Sequence, residues 1–321
     1  METKKRLGGN TLLFFASLVW GFAFVAQSVA GRTMSAFSIG AVRFLFGGVF
    51  LTAVLAVYEK IRGGERLLLS RRNRCFVDLT RAELAGGACL GITLATATTL
   101  QQVGINLTSS GKASFLTALY VVFVPLLGLL RRKIAPLHVW VSIGVAVVGA
   151  YLLASCTSMG GFGWGDAVLL TSAFCFAVQI VLIDLFTRRA DGVRLAIVEF
   201  YVAGTVSLIC SLFGPLPTWG DLAPALPSLA YLAILSGGFA YTAQIVGQKL
   251  SGMPTVASLI MSLESVFGAV GGALLLDETM SDRQIWGCAV ILFAVVLSQL
   301  PLDVWWRRVM RQKKKKEERE V

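Results

Sequence analysis

Ten apolar runs occupy most of this 321-residue chain, at about 11–30, 34–57, 84–105, 112–130, 137–155, 165–186, 195–213, 228–248, 254–276 and 284–302. Each is close to the roughly 20 residues that a helix needs to cross the hydrocarbon core of a bilayer. Lipid offers the backbone no hydrogen-bond partners, so such runs fold as helices. The expected fold class is an all-α integral membrane protein with ten transmembrane helices. Charged residues make up 15% of the chain, against about a quarter in soluble domains. Little sequence is left over for a soluble domain.

The net charge of +11 invites a nucleic-acid reading, but its placement argues against one. Of 29 Lys and Arg, 25 fall near the N-terminus, in alternate loops such as the basic loop 59–83, and in the tail. The opposite loops hold only Arg32, Lys112 and Arg283, and Arg43 lies inside a run. Cytoplasmic loops carry the excess of Lys and Arg, so both termini are expected in the cytoplasm of a multi-pass protein of the cytoplasmic (inner) membrane. The first run follows basic residues as a secretory signal would, but exceeds the 7–15 apolar residues of such a segment, so an uncleaved first span is expected. The basic loop and tail read either as solvated charge or as surfaces for anionic headgroups. The six cysteines and the lone His138 show no disulfide or metal spacing, so neither a metal nor a cofactor is expected.

One passage occurs nearly twice. "LQQVGINLTSSGKASFLTALYVVF" from Leu100 is echoed by "AQIVGQKLSGMPTVASLIMSLESVF" from Ala243. Gln101 matches Gln244 at an offset of 143, and after a one-residue gap Ala113-Ser114 matches Ala257-Ser258 at 144. Earlier in the chain an offset of 156 sets "WGFAF" at Trp20 against "FAVQI" at Phe176, and Arg43-Phe44 against Glu199-Phe200. Spans one to five thus repeat as spans six to ten, which divides the chain into units 1–155 and 156–302 and a basic cytoplasmic tail 303–321. An odd number of spans per unit makes the second copy enter from the other side, giving two inverted-topology five-helix repeats. That arrangement is common in secondary transporters.

Several motifs carry a family resemblance: Trp20-Gly21, Arg43-Phe44, "TSSGKASFLTALYVVFVPLL", Gly165-Asp166, and "SLIMSLESVFGAVGGALLLDETMS" followed by Gly287. In their order and spacing, over roughly residues 10–300, the chain resembles the EamA branch of the drug/metabolite transporter superfamily. The resemblance implies a ten-helix carrier in which helices one to four and six to nine surround a central cavity, while five and ten are peripheral. It also implies movement of small metabolites, often outward, with amino acid exporters among the relatives. Ser265 stands where many relatives have proline after the glutamate, which leaves open how sharply the ninth helix bends.

Two patterns in the repeated passage are decoys. "NLTSSGKA" imitates a phosphate-binding loop, but Asn106 replaces the first glycine, Ala113 replaces the magnesium-binding hydroxyl, and a span rather than a strand precedes it. Asn106-Leu107-Thr108 has the pattern of a glycosylation site but sits in a tight turn against the membrane.

Polar residues within the spans are better candidates, because an ionisable group in a bilayer needs a cavity or a partner. Arg43 costs about 2.5–3.5 kcal/mol at a helix centre on insertion scales. It reads as a structural group reaching helix-end carbonyls, as a holder of a substrate carboxylate, or as a partner of Glu199. Glu264 reads as a packing group or, with Glu199, as a site of proton coupling, the proton being the candidate coupling ion. Tyr241, Gln244 and Gln248 recur at i, i+3 and i+7, one face of a helix, and Thr98 and Gln101 take the matching face of the third span. With Trp20, Tyr120 and Gln179 they would line a partly aromatic, mostly neutral cavity for amphipathic solutes; as a stripe they would also serve as helix-to-helix glue.

The reading is a secondary active transporter that exports small organic metabolites, amino acids or analogues first, by alternating access. A broad-specificity drug exporter fits the same cavity. A membrane-embedded enzyme would need an intramembrane nucleophile, paired acids or metal ligands, and a receptor or scaffold gives the repeat no purpose. The expected partners are a small-molecule substrate and the lipid bilayer, not nucleic acid, with the chain acting as a monomer or homodimer.

Overall fold

The computed structural model describes residues 2–61, 79–107, 110–132, 134–154, 163–275 and 279–300, with side chains described for all of these except 2–3, 59–61, 110–112 and 154. Most of the basic loop, the basic tail, Thr108 of the sequon, Cys75 and Cys156 lie outside the described residues. Every regular element among the described residues is helical. In chain order they are α1 (Glu2–Ala30), α2 (Ala36–Ile61), α3 (Arg81–Leu107), α4 (Ser110–Ala118), α5 (Tyr120–Leu130), α6 (Leu137–Ala154), α7 (Trp164–Phe186), α8 (Gly192–Ser211) and α9 (Trp219–Ala230). A π-helical segment, Tyr231–Tyr241, runs on into α10 (Thr242–Ser251), followed by α11 (Pro254–Met261), α12 (Glu264–Leu275) and α13 (Asp282–Gln299).

Eight helical stretches among the described residues are long and apolar enough to cross a membrane. These correspond to expected spans one to four and six to nine. The fifth appears as a shorter apolar helix, Leu137–Leu153, because the expected run continues into residues outside the described set. The tenth is α13, which opens with the charged pair Asp282-Arg283.

Short-range polar chemistry fixes where the helices begin. The Asp191 carboxylate accepts from the backbone N–H groups of Val193 at 3.0 Å and Arg194 at 3.1 Å, meeting donors that the first turn of α8 leaves free. At the start of α3 the Glu83 N–H donates to Thr80 Oγ1 at 3.1 Å while the Thr80 N–H donates to Glu83 Oε2 at 2.7 Å, a reciprocal cap. Gly252, at φ 69°, ends α10 in the left-handed region that favours glycine.

Two of these apolar stretches are interrupted within their length. Ala113–Leu130 breaks at Leu119 between α4 and α5, and Pro254–Leu275 breaks at Ser262-Leu263 between α11 and α12. Three-residue hydrogen bonds bridge the interruptions, from Leu119 N–H to Leu116 O at 3.3 Å and from Leu263 N–H to Ile260 O at 3.2 Å. The ninth expected helix therefore breaks with Ser265 in place of proline.

The packing has a regular pattern. Helix α3 lies along α7 and α8, while the π-helical segment and α10 lie along α1, and the π-helical segment along α2. Helix α1 packs on α12 as α7 packs on α5, and α2 packs on α8. Helices α6 and α13 pack chiefly on each other. They cross at Gly149 and Gly287, so closely that a Cβ added at Gly287 would lie 2.6 Å from Leu153 N and 2.7 Å from Gly149 O.

Candidate functional site

A narrow cavity lies where α1, α3, α7, α10 and the two interrupted spans converge. From α1 come Trp20, Ala23, Phe24 and Gln27, and from α7 Phe176, Gln179 and Ile180. Gln101 of α3 and Gln244 of α10 line it, as does Tyr241 at the end of the π-helical segment. Thr117 and Tyr120 flank the break at Leu119, and Met261 and Glu264 flank the break at Ser262-Leu263. The room inside is about 30 Å³, enough for about two waters or one ammonium-sized group.

Seven of the residues singled out in the sequence meet here: Trp20, Gln101, Tyr120, Gln179, Tyr241, Gln244 and Glu264. The Trp20 and Tyr241 rings meet at a tilt of 58° with centroids 4.8 Å apart, and Trp20 Nε1 donates to the Ser236 carbonyl at 3.2 Å. The Tyr120 hydroxyl lies beside the Glu264 carboxyl without meeting hydrogen-bond geometry. Gln179 Nε2 donates to Glu199 Oε1 at 2.7 Å, leaving Gln179 Oε1 buried without a donor. Gln244 Oε1 is likewise buried and unpartnered.

The other four lie outside the cavity lining. Thr98 turns its hydroxyl back to the Leu94 carbonyl of its own helix, at 2.8 Å. Gln248 is buried one turn beyond Gln244, with neither side-chain amide atom hydrogen-bonded. Glu199 stands behind Gln179, fully buried. Arg43, 4% exposed, donates from NH2 to Ser236 Oγ at 2.6 Å, and its guanidinium carbon sits 5.4 Å from the Phe44 ring centroid and 5.6 Å from that of Tyr241. Arg43 and Glu199 thus have separate partners and form no ion pair. An arginine inside a membrane domain is held here by one hydroxyl and two aromatic faces.

Reasoning from the sequence missed Gln27, Phe24, Phe176, Thr117, Met261 and Ser236. Phe176 was within reach, standing at the offset of 156 from Trp20, and Met261 stands at 144 from Thr117. No sequence signal marks Ser236, which lies within the π-helical segment. Among the described residues no group of three or more His, Cys, Asp or Glu is gathered to hold a metal.

Comparison with known proteins adds to this geometry. The profile of the EamA-like transporter family matches residues 7–155 and again 163–300. An uncharacterized transporter of Archaeoglobus fulgidus is 25% identical over 304 residues, covering 93% of this chain and 88% of that protein. The uncharacterized inner membrane transporter YedA of Escherichia coli is 26% identical over 299 residues, covering 90% of this chain and 89% of that protein. A WAT1-related chloroplastic protein of Arabidopsis thaliana is 25% identical, covering 91% of this chain and 69% of its own length. A solved crystal structure superimposes with a TM-score of 0.72 at 16% identity, covering 95% of this chain and 99% of its own, a likeness of fold.

Proposed function

The chain belongs to the EamA-like transporter family, and from that premise we propose that it is a secondary carrier moving small organic solutes by alternating access through the central cavity. Outward movement of amino acids or their analogues across the inner membrane is the leading assignment, with both termini in the cytoplasm. The chain is built as two inverted repeats of five spans, residues 1–155 and 156–302.

One observation carries this reading: the repeat offsets map the cavity onto itself. At 156, Trp20, Ala23 and Phe24 correspond to Phe176, Gln179 and Ile180; at 143, Gln101 corresponds to Gln244; at 144, Thr117 and Tyr120 correspond to Met261 and Glu264. All twelve line the cavity. The packing obeys the same exchange, since α3 against α7 corresponds to α10 against α1, and the two interrupted spans correspond to each other. A site on the axis relating two inverted halves can open alternately to either side, because exchanging the conformations of the halves converts one state into the other. Helices α6 and α13, paired with each other, would be the peripheral fifth and tenth members. Glu264, in the lining, and Glu199, behind Gln179, are the candidates for coupling transport to a proton or for packing the helices.

Counterflow in proteoliposomes tests the carrier. Vesicles preloaded with unlabelled amino acids, sugars, nucleosides or cationic drugs are given the matching labelled compound. Transient accumulation with an amino acid class, lost in Gln244→Ala, is the expected result. No accumulation with any class, from protein that is monodisperse and correctly inserted, would refute the reading.

A further inference from the structure

Resting on the carrier reading, we infer that the cavity selects solutes bearing a protonated amine, which it holds through hydrogen-bond acceptors gathered around Glu264. The lining carries one acid, Glu264, and no Lys, Arg or His among the described residues. The nearby base Arg43 is not itself in the lining: its NH2 donates to Ser236 Oγ, and its guanidinium carbon lies 5.6 Å from the ring centroid of Tyr241, which does line the cavity.

The polar atoms left unpartnered specify the ligand. Gln179 Nε2 is the donor in the 2.7 Å bond to Glu199 Oε1. That leaves Gln179 Oε1 buried without a donor, as are Gln244 Oε1 and the Tyr120 hydroxyl. Buried acceptors left unmet are costly. An ammonium group supplies three donors and no acceptor, and its positive charge favours the ionised form of a carboxyl beside it, here Glu264. In surroundings of low dielectric that pairing is far stronger than in water. The Trp20 ring, tilted at 58° to that of Tyr241, adds a π face that attracts a cation. A solute whose only charge is a carboxylate would instead bring acceptors to acceptors and a negative charge to Glu264. Glu199 enters as a positioning residue, since it sets which end of the Gln179 amide is free.

A matched series with one ring tests the assignment: phenethylamine with an ammonium alone, phenylalanine with an ammonium and a carboxylate, and phenylacetate with a carboxylate alone. Equilibrium binding of labelled phenethylamine to the purified full-length protein in nanodiscs is competed by the other two. Phenylalanine should compete and phenylacetate should be weaker than phenethylamine by about tenfold or more. Glu264→Gln should weaken phenethylamine by about tenfold or more as well; Glu199→Leu should weaken it less while leaving the inferior rank of phenylacetate intact. Equal or tighter binding of phenylacetate, or no saturable phenethylamine binding by wild-type protein up to about 1 mM, would overturn the inference even if both variants failed to fold. Saturable amine binding without phenethylamine counterflow would instead remove the carrier reading and leave the amine site standing.

Discussion

Replacing Gly287 by alanine should pry apart the helix pair α6 and α13, whereas the same change at Gly144 should not. A Cβ on Gly287 would stand 2.6 Å from Leu153 N and 2.7 Å from Gly149 O, both backbone atoms that no rotamer change can move. Ordinary contact between such atoms begins at about 3.4 Å, so the two backbones must separate by roughly 0.7–0.8 Å along a seam that glycine allows to close. Overpacking of this kind costs about 1–3 kcal/mol. Gly144 lies in the same helix α6 with nothing within 4 Å of its added Cβ. There alanine removes only the conformational penalty of a helical glycine, a gain of about 0.5–1 kcal/mol or less. The assay is thermal unfolding of purified protein in detergent, followed by the loss of monodisperse material on size exclusion. The midpoint should fall by several degrees for Gly287→Ala and stay level or rise for Gly144→Ala. Because neither helix contributes to the cavity lining, the KM for counterflow should be unchanged in both. Equal midpoints for the two variants, or a changed KM, would refute the argument that α6 and α13 form a close-packed support outside the transport path.

The remaining predictions concern the buried polar groups. Ser236→Ala removes the acceptor 2.6 Å from the Arg43 guanidinium and should destabilise by about 1.5–3 kcal/mol, the range for a hydrogen bond to a charged group; an unchanged unfolding midpoint would show that Arg43 is held by the aromatic faces alone. Ser172→Ala removes an ordinary interhelical bond, Ser172 Oγ to the Ala97 carbonyl at 2.7 Å, and should cost about 0.6 kcal/mol, the average for such bonds within membranes; a loss as large as that of Ser236→Ala would contradict the distinction. Combining Arg43→Glu with Glu199→Arg should recover neither folded yield nor flux relative to the single changes, since the native partners are Ser236 and Gln179; recovery in the double variant would mean that the two residues pair in another state of the cycle.

Helices were legible because bilayer-length apolar runs leave the backbone few alternatives. Much of the cavity was legible too, since Gln101, Gln244, Tyr241 and Trp20 are polar or amphipathic groups in positions where lipid would be costly. Residues singled out in the sequence lie outside the lining where a polar group satisfies itself locally or sits beyond the cavity. Thr98 has a short side chain that reaches its own Leu94 carbonyl, and Gln248 continues the stripe of Tyr241 and Gln244 past the end of the cavity. The pairing of Arg43 with Glu199 failed for a different reason. On the repeat reading, correspondence would put the two residues in equivalent surroundings on opposite halves, which does not bring them into contact. The π-helical segment Tyr231–Tyr241 left no periodic trace either, because its apolar residues suit a wider turn as well as an α-helix.

On the repeat reading, the corresponding positions that differ are as informative as those that agree. Gln101 and Gln244 are the same residue, so the cavity offers an amide from either half. Ala23 corresponds to Gln179, and Tyr120 to Glu264, so the second half supplies both the acid and the amide bonded to Glu199. Inverted halves with identical linings would give a solute the same surroundings from each side of the membrane. Here the carboxylate belongs to one half alone, and it adjoins the break between α11 and α12 where the backbone of that span is interrupted. Movement at that break would shift Glu264 relative to Gln101 and Trp20, whose helices are continuous there. If the proposed amine site holds, the solute's charge would then report on the conformation of the second half, and the acid would be the position at which binding and opening are most directly coupled.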